Sequence, residues 1–397
     1  MKTAESVTRK YLRVMVRQCS RPHLRLLRLA YSNIRPLEHW FVIYSLAALL
    51  SHTGCISKPE SLFMKLERIE KVRHIRLVEN QNYPLGRIFD ASISPDSVLH
   101  VLDIGAADIK LFNLDGTFIK KLGGRGQGPN ELQVPRTMEV TKDYIVVADI
   151  GSKLTKWFDR EGKLLRQISI DRLRPIMGNT RVVSENKLLH AALWDGSRNR
   201  KSAVHLIDST GRILRSLGEF PEEYDNYELQ GNRQIDFNHR KNTYVITFHQ
   251  SPAMVIGNLT TGSGKMHAFE HERSKYISLN HPKGRFLTPE LMEKLVLEEA
   301  YSDRVSFLTD SIVVRSYMRC SEESLKKRSM VLHKHFLQAY STFGEVLGEV
   351  PLPGRLHAKY GDLLLVEEGD EPDNHIFGLY KAHFRRIAMS ERYQNER

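Results

Sequence analysis

HVLDIGAADIKLFNLDGTFIKKL (residues 100–122) and IVVADIGSKLTKWFDREGKLLRQI (residues 145–168) are two copies of one pattern. Asp103, Gly105, Phe112 and Gly116 return as Asp149, Gly151, Phe158 and Gly162, each 46 residues further on. Each copy opens with an apolar run of strand length and reaches a turn at Asp-x-Gly. A second strand ends in an aromatic residue, a tight turn follows at Gly116 or Gly162, and a third, alternating strand closes the unit. The turns have a chemical cause: Asp side chains cap local backbone amides, and glycine supplies positive φ. A unit of this period cannot bury its apolar faces alone, so neighbouring copies must stack.

Working outward, a third copy runs from Leu188 to Gly218, with turns at Asp195-Gly196 and at Asp208 to Gly211, and a fourth from Thr243 to Phe269 around Tyr244 to Phe248. A fifth uses Ser311 to Ser316 and Phe336 to Ser341, with Gly344 before Glu345 to Leu347. A sixth begins at Leu363 to Val366 and continues through His375 to Tyr380. Six units predict an all-β chain, a six-bladed β-propeller of four-stranded blades. A ring of blades must be closed, because an open junction leaves an unpaired strand edge. Val72 to Val78, an alternating segment before the first full blade, is predicted to be the outermost strand of the last blade. Thr288 to Leu295, with Thr288 as N-cap and Pro289 at the first helical position, predicts one short helical insertion between blades four and five. A second insertion, Cys320 to Arg328, interrupts blade five.

The segment Leu122 to Pro135 (LGGRGQGPNELQVP), followed by the strand Tyr144 to Asp149, resembles the junction of NHL-type repeats. It is more similar still to the six-bladed propeller lipoproteins of the Bacteroidetes. That resemblance spans Phe89 to Ile168, weakens towards Gly218, and is architectural beyond. It implies that the glycine-rich segment joins one blade's outer strand to the next blade's inner strand. A phosphate cradle is the other reading of so many glycines, but Pro129-Asn130-Glu131 provides neither the terminal Lys-Ser or Lys-Thr nor a following helix.

The chain's charge of +12 invites a nucleic-acid reading, but its distribution removes it. Residues 1–54 hold nine basic and two acidic groups, a net of +7, which leaves only +5 for everything else. That is no footprint for a polyanion. The basic leader precedes Trp40 to Leu50 (WFVIYSLAALL), which has the length of a signal-peptide core rather than of a membrane span. Ser51 to Cys55 (SHTGC) resembles the lipobox of bacterial lipoproteins, with His52 where an aliphatic residue is usual. The resemblance implies acylation of Cys55. The expected organisation is a leader and signal peptide (1–54), a tether (55–65), the propeller (66–390) and a tail (391–397). Of the three cysteines, Cys19 falls in the leader and Cys55 on the anchor, so Cys320 has no partner and no disulfide framework, within or between chains, is expected.

Candidate site residues follow from the blade register. Asp103, Asp149 and Asp195 occupy one point in three blades, at the end of what reads as the inner apolar strand, and His249 and Glu368 fall near the equivalent point in blades four and six. Such a ring at the channel mouth would suit calcium, the one cofactor the sequence suggests; the other reading is that each Asp caps its own turn. His333-x-His335 puts two imidazoles on one strand face, read as exposed and partly polar, and two ligands do not make a metal site. No Gly-x-Ser-x-Gly elbow occurs. The expected function is a non-catalytic binding or scaffold propeller, membrane-anchored by lipid in the cell envelope, with an envelope protein or glycan as partner. The alternative is a metal-assisted lactonase or lyase with its site in the central channel.

Overall fold

The structure, a computed structural model, describes residues 64–78, 81–170, 175–192, 202–221, 233–269, 297, 300–327, 332–371 and 374–387. The lipobox with Cys55, Asp195 and the helix expected at Thr288 to Leu295 lie outside them. Among the described residues, twenty-four strands form six four-stranded antiparallel sheets. Blade one is β2 (Ile88–Ile93), β3 (Val98–Asp103), β4 (Asp108–Asn113) and β5 (Phe118–Gly123). Blade two is β6 (Pro135–Val140), β7 (Ile145–Asp149), β8 (Leu154–Phe158) and β9 (Leu164–Ser169). Blade three is β10 (Pro175–Ser184), β11 (Lys187–Ala192), β12 (Ser202–Asp208) and β13 (Ile213–Glu219), and blade four β14 (Arg233–Asn238), β15 (Thr243–Phe248), β16 (Ser251–Asn258) and β17 (Gly264–His267). Blade five is β18 (Ala300–Phe307), β19 (Ile312–Arg319), β20 (Lys334–Ser341) and β21 (Val346–Leu352), with the short helix α1 (Glu322–Lys327) between β19 and β20. Blade six takes β22 (Arg355–Tyr360), β23 (Leu363–Glu371), β24 (Asn374–Arg386) and, as its outermost strand, β1 (Met64–Arg76).

The ring is therefore closed by the N-terminal strand, as the sequence predicts. β1 runs antiparallel to β24 from Met64 opposite Arg386 to Arg76 opposite Ile376. Its Leu66 packs with blade five and its Ile75 with blade one, so this strand also carries interblade core. Gly116 shows why the turn residues recur. It sits at φ +91°, and a Cβ there would lie 1.8 Å from the carbonyl oxygen of Arg76, so the turn of blade one nests against β1 only as glycine. Gly162, its repeat partner, has the same φ of +91°.

One part of the blade reading is corrected. The apolar strands read as inner, Ile145–Asp149 among them, are the second strand of each blade. The glycine-rich segment leads into β6, and it is β2, β6, β10, β14, β18 and β22 that pack round the axis. The second strands are apolar because both their faces are covered by neighbouring blades. Leu102, Ile109 and Leu122 of blade one, for example, pack on Met138, Ile145 and Phe158 of blade two. Innermost strands instead face one another across a narrow channel and carry polar residues there.

Candidate functional site

The sequence-derived candidates are placed first. Asp103 is fully buried at the end of β3 (0 % exposed) and accepts from the amides of Gly86, Gly105 and Ala106 at 2.7, 2.8 and 3.1 Å. Lys110 Nζ lies 2.7 Å from it and 2.7 Å from Asp108. Burial disfavours the Asp103 carboxylate, but Lys110 and the amides outweigh it and hold the carboxyl below its ordinary value. Asp149 accepts from the amides of Gln133 and Val134 at 2.9 and 2.7 Å and from Ser152 Oγ at 2.8 Å. Both aspartates thus fasten the connection arriving from the preceding strand to the end of a second strand. His249 Nδ1 lies 2.9 Å from the Ser302 carbonyl oxygen, between blades four and five. Glu368 points to the outer strands, 2.5 Å from Lys71 Nζ and 2.7 Å from Tyr380 Oη.

Each of these four has its own partners. Among the described residues no three or more His, Cys, Asp or Glu side chains are arranged as a metal's ligand set. His335 is buried (3 % exposed) rather than on an open strand face, because β20 is an inner member of its blade. His333 precedes β20, with Nδ1 2.7 Å from Ser324 Oγ of α1 and Nε2 3.8 Å from Cys320 Sγ.

The axis gathers a different set. Each innermost strand contributes at least one ionisable side chain to the lining of the channel: Asp90, Glu139, Arg181, Asp236, Arg304 and His357, in blade order, with Lys359 as a second from blade six. Bulges at Phe89, Arg136, Asp303 and His357 break the pairing of four of these strands with their neighbours. A bulge re-aims the side chains around it, here near the axis. Arg304 Nη2 lies 2.5 Å from Asp90, Arg181 Nε 3.1 Å from Asp236, and His357 Nε2 2.7 Å from Glu367 on β23. Glu367, not its neighbour Glu368, reaches the axis, since one residue along a strand reverses the side chain's face.

These side chains also staple the blades together. An innermost strand leaves amides on its axial edge without a strand partner, and such donors must be satisfied. Asp90 accepts from Met138 N at 3.0 Å, Glu139 from Val182 N at 2.5 Å, and Asp236 from Phe307 N at 2.7 Å. Asn179 exchanges two bonds with the backbone of Ile235, at 2.6 and 2.7 Å. Arg355 completes the circle, with Nε 3.2 Å from Asp303 and Nη1 3.1 Å from the Phe89 carbonyl oxygen. Every junction from blade one round to blade one is thus bridged through a side chain of an innermost strand.

Burial and pairing set the charges. Burial works against ionisation of Asp90, and Arg304 and His357 overcome it, so the carboxyl titrates below its ordinary range. Asp303 is held at about 2, desolvation being outweighed by Arg355 and Arg304. Burial would lower the Arg181 guanidinium, but Asp236 and Glu139 raise it. Glu139 goes the other way: desolvation pushes its carboxyl up to about 7, only partly offset by Arg181 and Val182 N.

The two faces of the ring differ. In four-stranded antiparallel blades, the turns joining first to second and third to fourth strands lie on one face, the turn face. The remaining connections lie on the other, the junction face. Turn-face connections span two to five residues throughout. On the junction face the strand ends separated by most sequence are Glu219 and Arg233, His267 and Ala300, and Arg319 and Lys334, all on blades three to five, while β1 to β2 and β5 to β6 are each joined by eleven residues.

A closed ring of six four-stranded blades, its axial channel lined by a girdle of ionic groups, makes this a six-bladed β-propeller. The chain belongs to the DUF5128 family, described as 6-bladed beta-propeller, whose sequence pattern matches residues 48–262. It is similar in fold to a DUF4221-family protein of Bacteroides vulgatus at 12% identity, with 81% of this chain and 99% of that one covered and a TM-score of 0.60. A Bacteroides fragilis protein inferred to be exported matches at 12% identity over 83% of this chain and 97% of its own, with a TM-score of 0.51. Virginiamycin B lyase of Staphylococcus aureus matches at 9% identity, over 79% and 99% of the two chains, with a TM-score of 0.43, too remote to carry an argument. No curated protein matches the chain in sequence.

Proposed function

We propose that this protein is a non-catalytic binding module, exported and held by a lipid on Cys55 in the bacterial cell envelope, which presents the junction face of blades three to five to a partner protein. The observation that carries this reading is the asymmetry of the connections. Turn-face loops are uniformly tight, whereas the three pairs of consecutive strands separated by most sequence, β13 to β14, β17 to β18 and β19 to β20, are joined from the junction-face ends of blades three to five. Long connections on a rigid scaffold are where recognition surfaces form. The girdle supports the non-catalytic reading, because the axial carboxylates serve ion pairs and interblade amide bonds. Export is supported by the leader and by the Bacteroides fragilis relative in fold. Acyl chains on one cysteine would supply the several hydrophobic anchors that stable attachment needs.

Two experiments test it. Cells labelled with a palmitate analogue should incorporate it into the parent and not into Cys55→Ala; equal incorporation, or none in the parent, removes the anchor. A photo-crosslinking residue at Glu322, on the junction face, should trap an envelope protein in intact cells. The same residue at Asp143, on the turn face, should not. Equal adducts from both positions would sink the proposed face.

A further inference from the structure

The axial cavity is distinct from the surface just proposed. It encloses about 160 Å³ and is lined by Asp90 to Ile93, Met138 to Val140, Arg181, Asp236, Arg304, Ser306 and His357 to Lys359. These are the later residues of the innermost strands, so the cavity lies in the half of the channel towards the turn face. On the junction side the Asp303–Arg355–Phe89 linkage crosses the start of three of those strands, with the Arg136 and Arg355 guanidinium groups 5.0 and 5.5 Å from the Phe89 ring centroid.

Its spare hydrogen-bonding capacity is mostly donor. A guanidinium has five N–H groups. Arg304 makes one hydrogen bond, to Asp90, and Arg181 makes two, to Asp236 and to the Thr180 carbonyl oxygen. Lys359 Nζ, at the rim, gives one to the Phe307 carbonyl oxygen. His357 has no exposed side-chain surface; Nε2 meets Glu367, and Nδ1, 3.9 Å from Asp90, is a buried nitrogen without a hydrogen-bond partner. Ser92 and Ser306 add hydroxyls. We propose that this cavity is a binding site for one small oxyanion, a phosphate or a short carboxylate, gripped by the free N–H groups of Arg181 and Arg304 with Lys359 at its mouth.

Size and charge agree with that ligand class. At roughly 30 Å³ per water the cavity holds about five waters' volume, enough for phosphate or a four-carbon dicarboxylate and too little for a nucleotide. The two arginines are already anchored by Asp236 and Asp90, so binding needs little ordering of their side chains. Planar guanidinium groups match oxyanion geometry. With Glu139 titrating at about 7, part of the population near neutrality has no third negative charge facing the ligand.

Isothermal titration of the full chain at pH 6.5, with inorganic phosphate in one arm and succinate in the other, tests the site and separates a tetrahedral oxyanion from a dicarboxylate. One saturable site per chain is expected in at least one arm, with affinity reduced tenfold or more in the double variant Arg181→Gln/Asp236→Asn, which removes the ion pair of these two residues together. No saturable uptake in either arm overturns the inference, as does unchanged affinity in the double variant. If that variant does not fold, Ser92→Leu narrows the lumen from the turn-face side, and affinity retained there overturns it equally. The crosslinking result above is independent, since it reads the opposite face.

Discussion

Glu139→Gln should reveal the energetic cost of charge at the axis. In the folded ring the Glu139 carboxyl is raised from 4.5 to about 7, with desolvation the largest cause, whereas in the unfolded chain it titrates near 4.5. Between those values the folded state holds a proton that the unfolded state has released, so stability falls as pH rises. Each pH unit across that interval is worth ~1.4 kcal/mol. The parent should therefore lose on the order of 3 kcal/mol between pH 4.5 and pH 7 through this group, and nothing further above about pH 8. Glutamine keeps an oxygen for the Val182 amide and has no charge to desolvate. Urea unfolding of both proteins at pH 5, 6, 7 and 8 isolates the effect, because every other titrating group is common to both. The variant should gain on the parent steadily from pH 5, approaching ~3 kcal/mol at pH 8. A difference that stays constant from pH 5 to 8 would refute the reasoning, since it would mean that Glu139 ionises as freely in the ring as in the unfolded chain.

Three other outcomes follow from the same contacts. Arg304→Met leaves Asp90 buried without its cation and should cost ~3–5 kcal/mol in urea unfolding, with most of it recovered when Asp90→Asn is added. Asp103→Ala should lower the thermal midpoint more than Asp149→Ala, because it also strips Lys110, 1 % exposed, of one of its two carboxylates; equilibrium dialysis should give the same calcium uptake for parent and variants. Deleting residues 64–78 removes β1 and exposes β24 as an edge, so the single cooperative transition should be lost. An unchanged melting curve would show that the ring does not depend on that closure.

The blades were legible because their second and third strands are apolar and their turns need particular residues. Asp103 with Asp149 and Gly116 with Gly162 mark those turns at a fixed spacing, and β1 was legible as an alternating strand without a partner. The axis was not legible by the same signal. FDASI around Asp90, PRTMEV around Glu139 and RQIDFN around Asp236 each place charge within a short strand, which reads as solvent exposure unless the strand is known to face five others. A usable signal did exist: a short strand just before each recognised copy, with at least one charged residue in it. His357 and Glu367 illustrate the remaining difficulty, because the glutamate that meets the axis differs by one position from the one singled out, and strand register decides which.

The fading of the repeat has a physical counterpart in the junction face. Between blades one and two, Gly123 at φ +74° and Gly124 at φ +158° turn the chain, Gly126 lies against the Glu131 carboxylate, and Arg125 donates to the carbonyl oxygens of Ile104 and Gly105 at 3.2 and 2.9 Å. A tight junction of this kind prescribes its residues, and Asp149 caps the amides at its end. Connections as long as 220–232 and 268–299 can join the next blade by many paths, so no single position need be glycine or aspartate. Loss of the motif at the junctions into blades four and five is thus what lengthened connections would produce. The blades least recognisable in sequence are then the ones whose junction face had most freedom to be shaped for a partner, which ties the weakening of the repeat to the face proposed for binding.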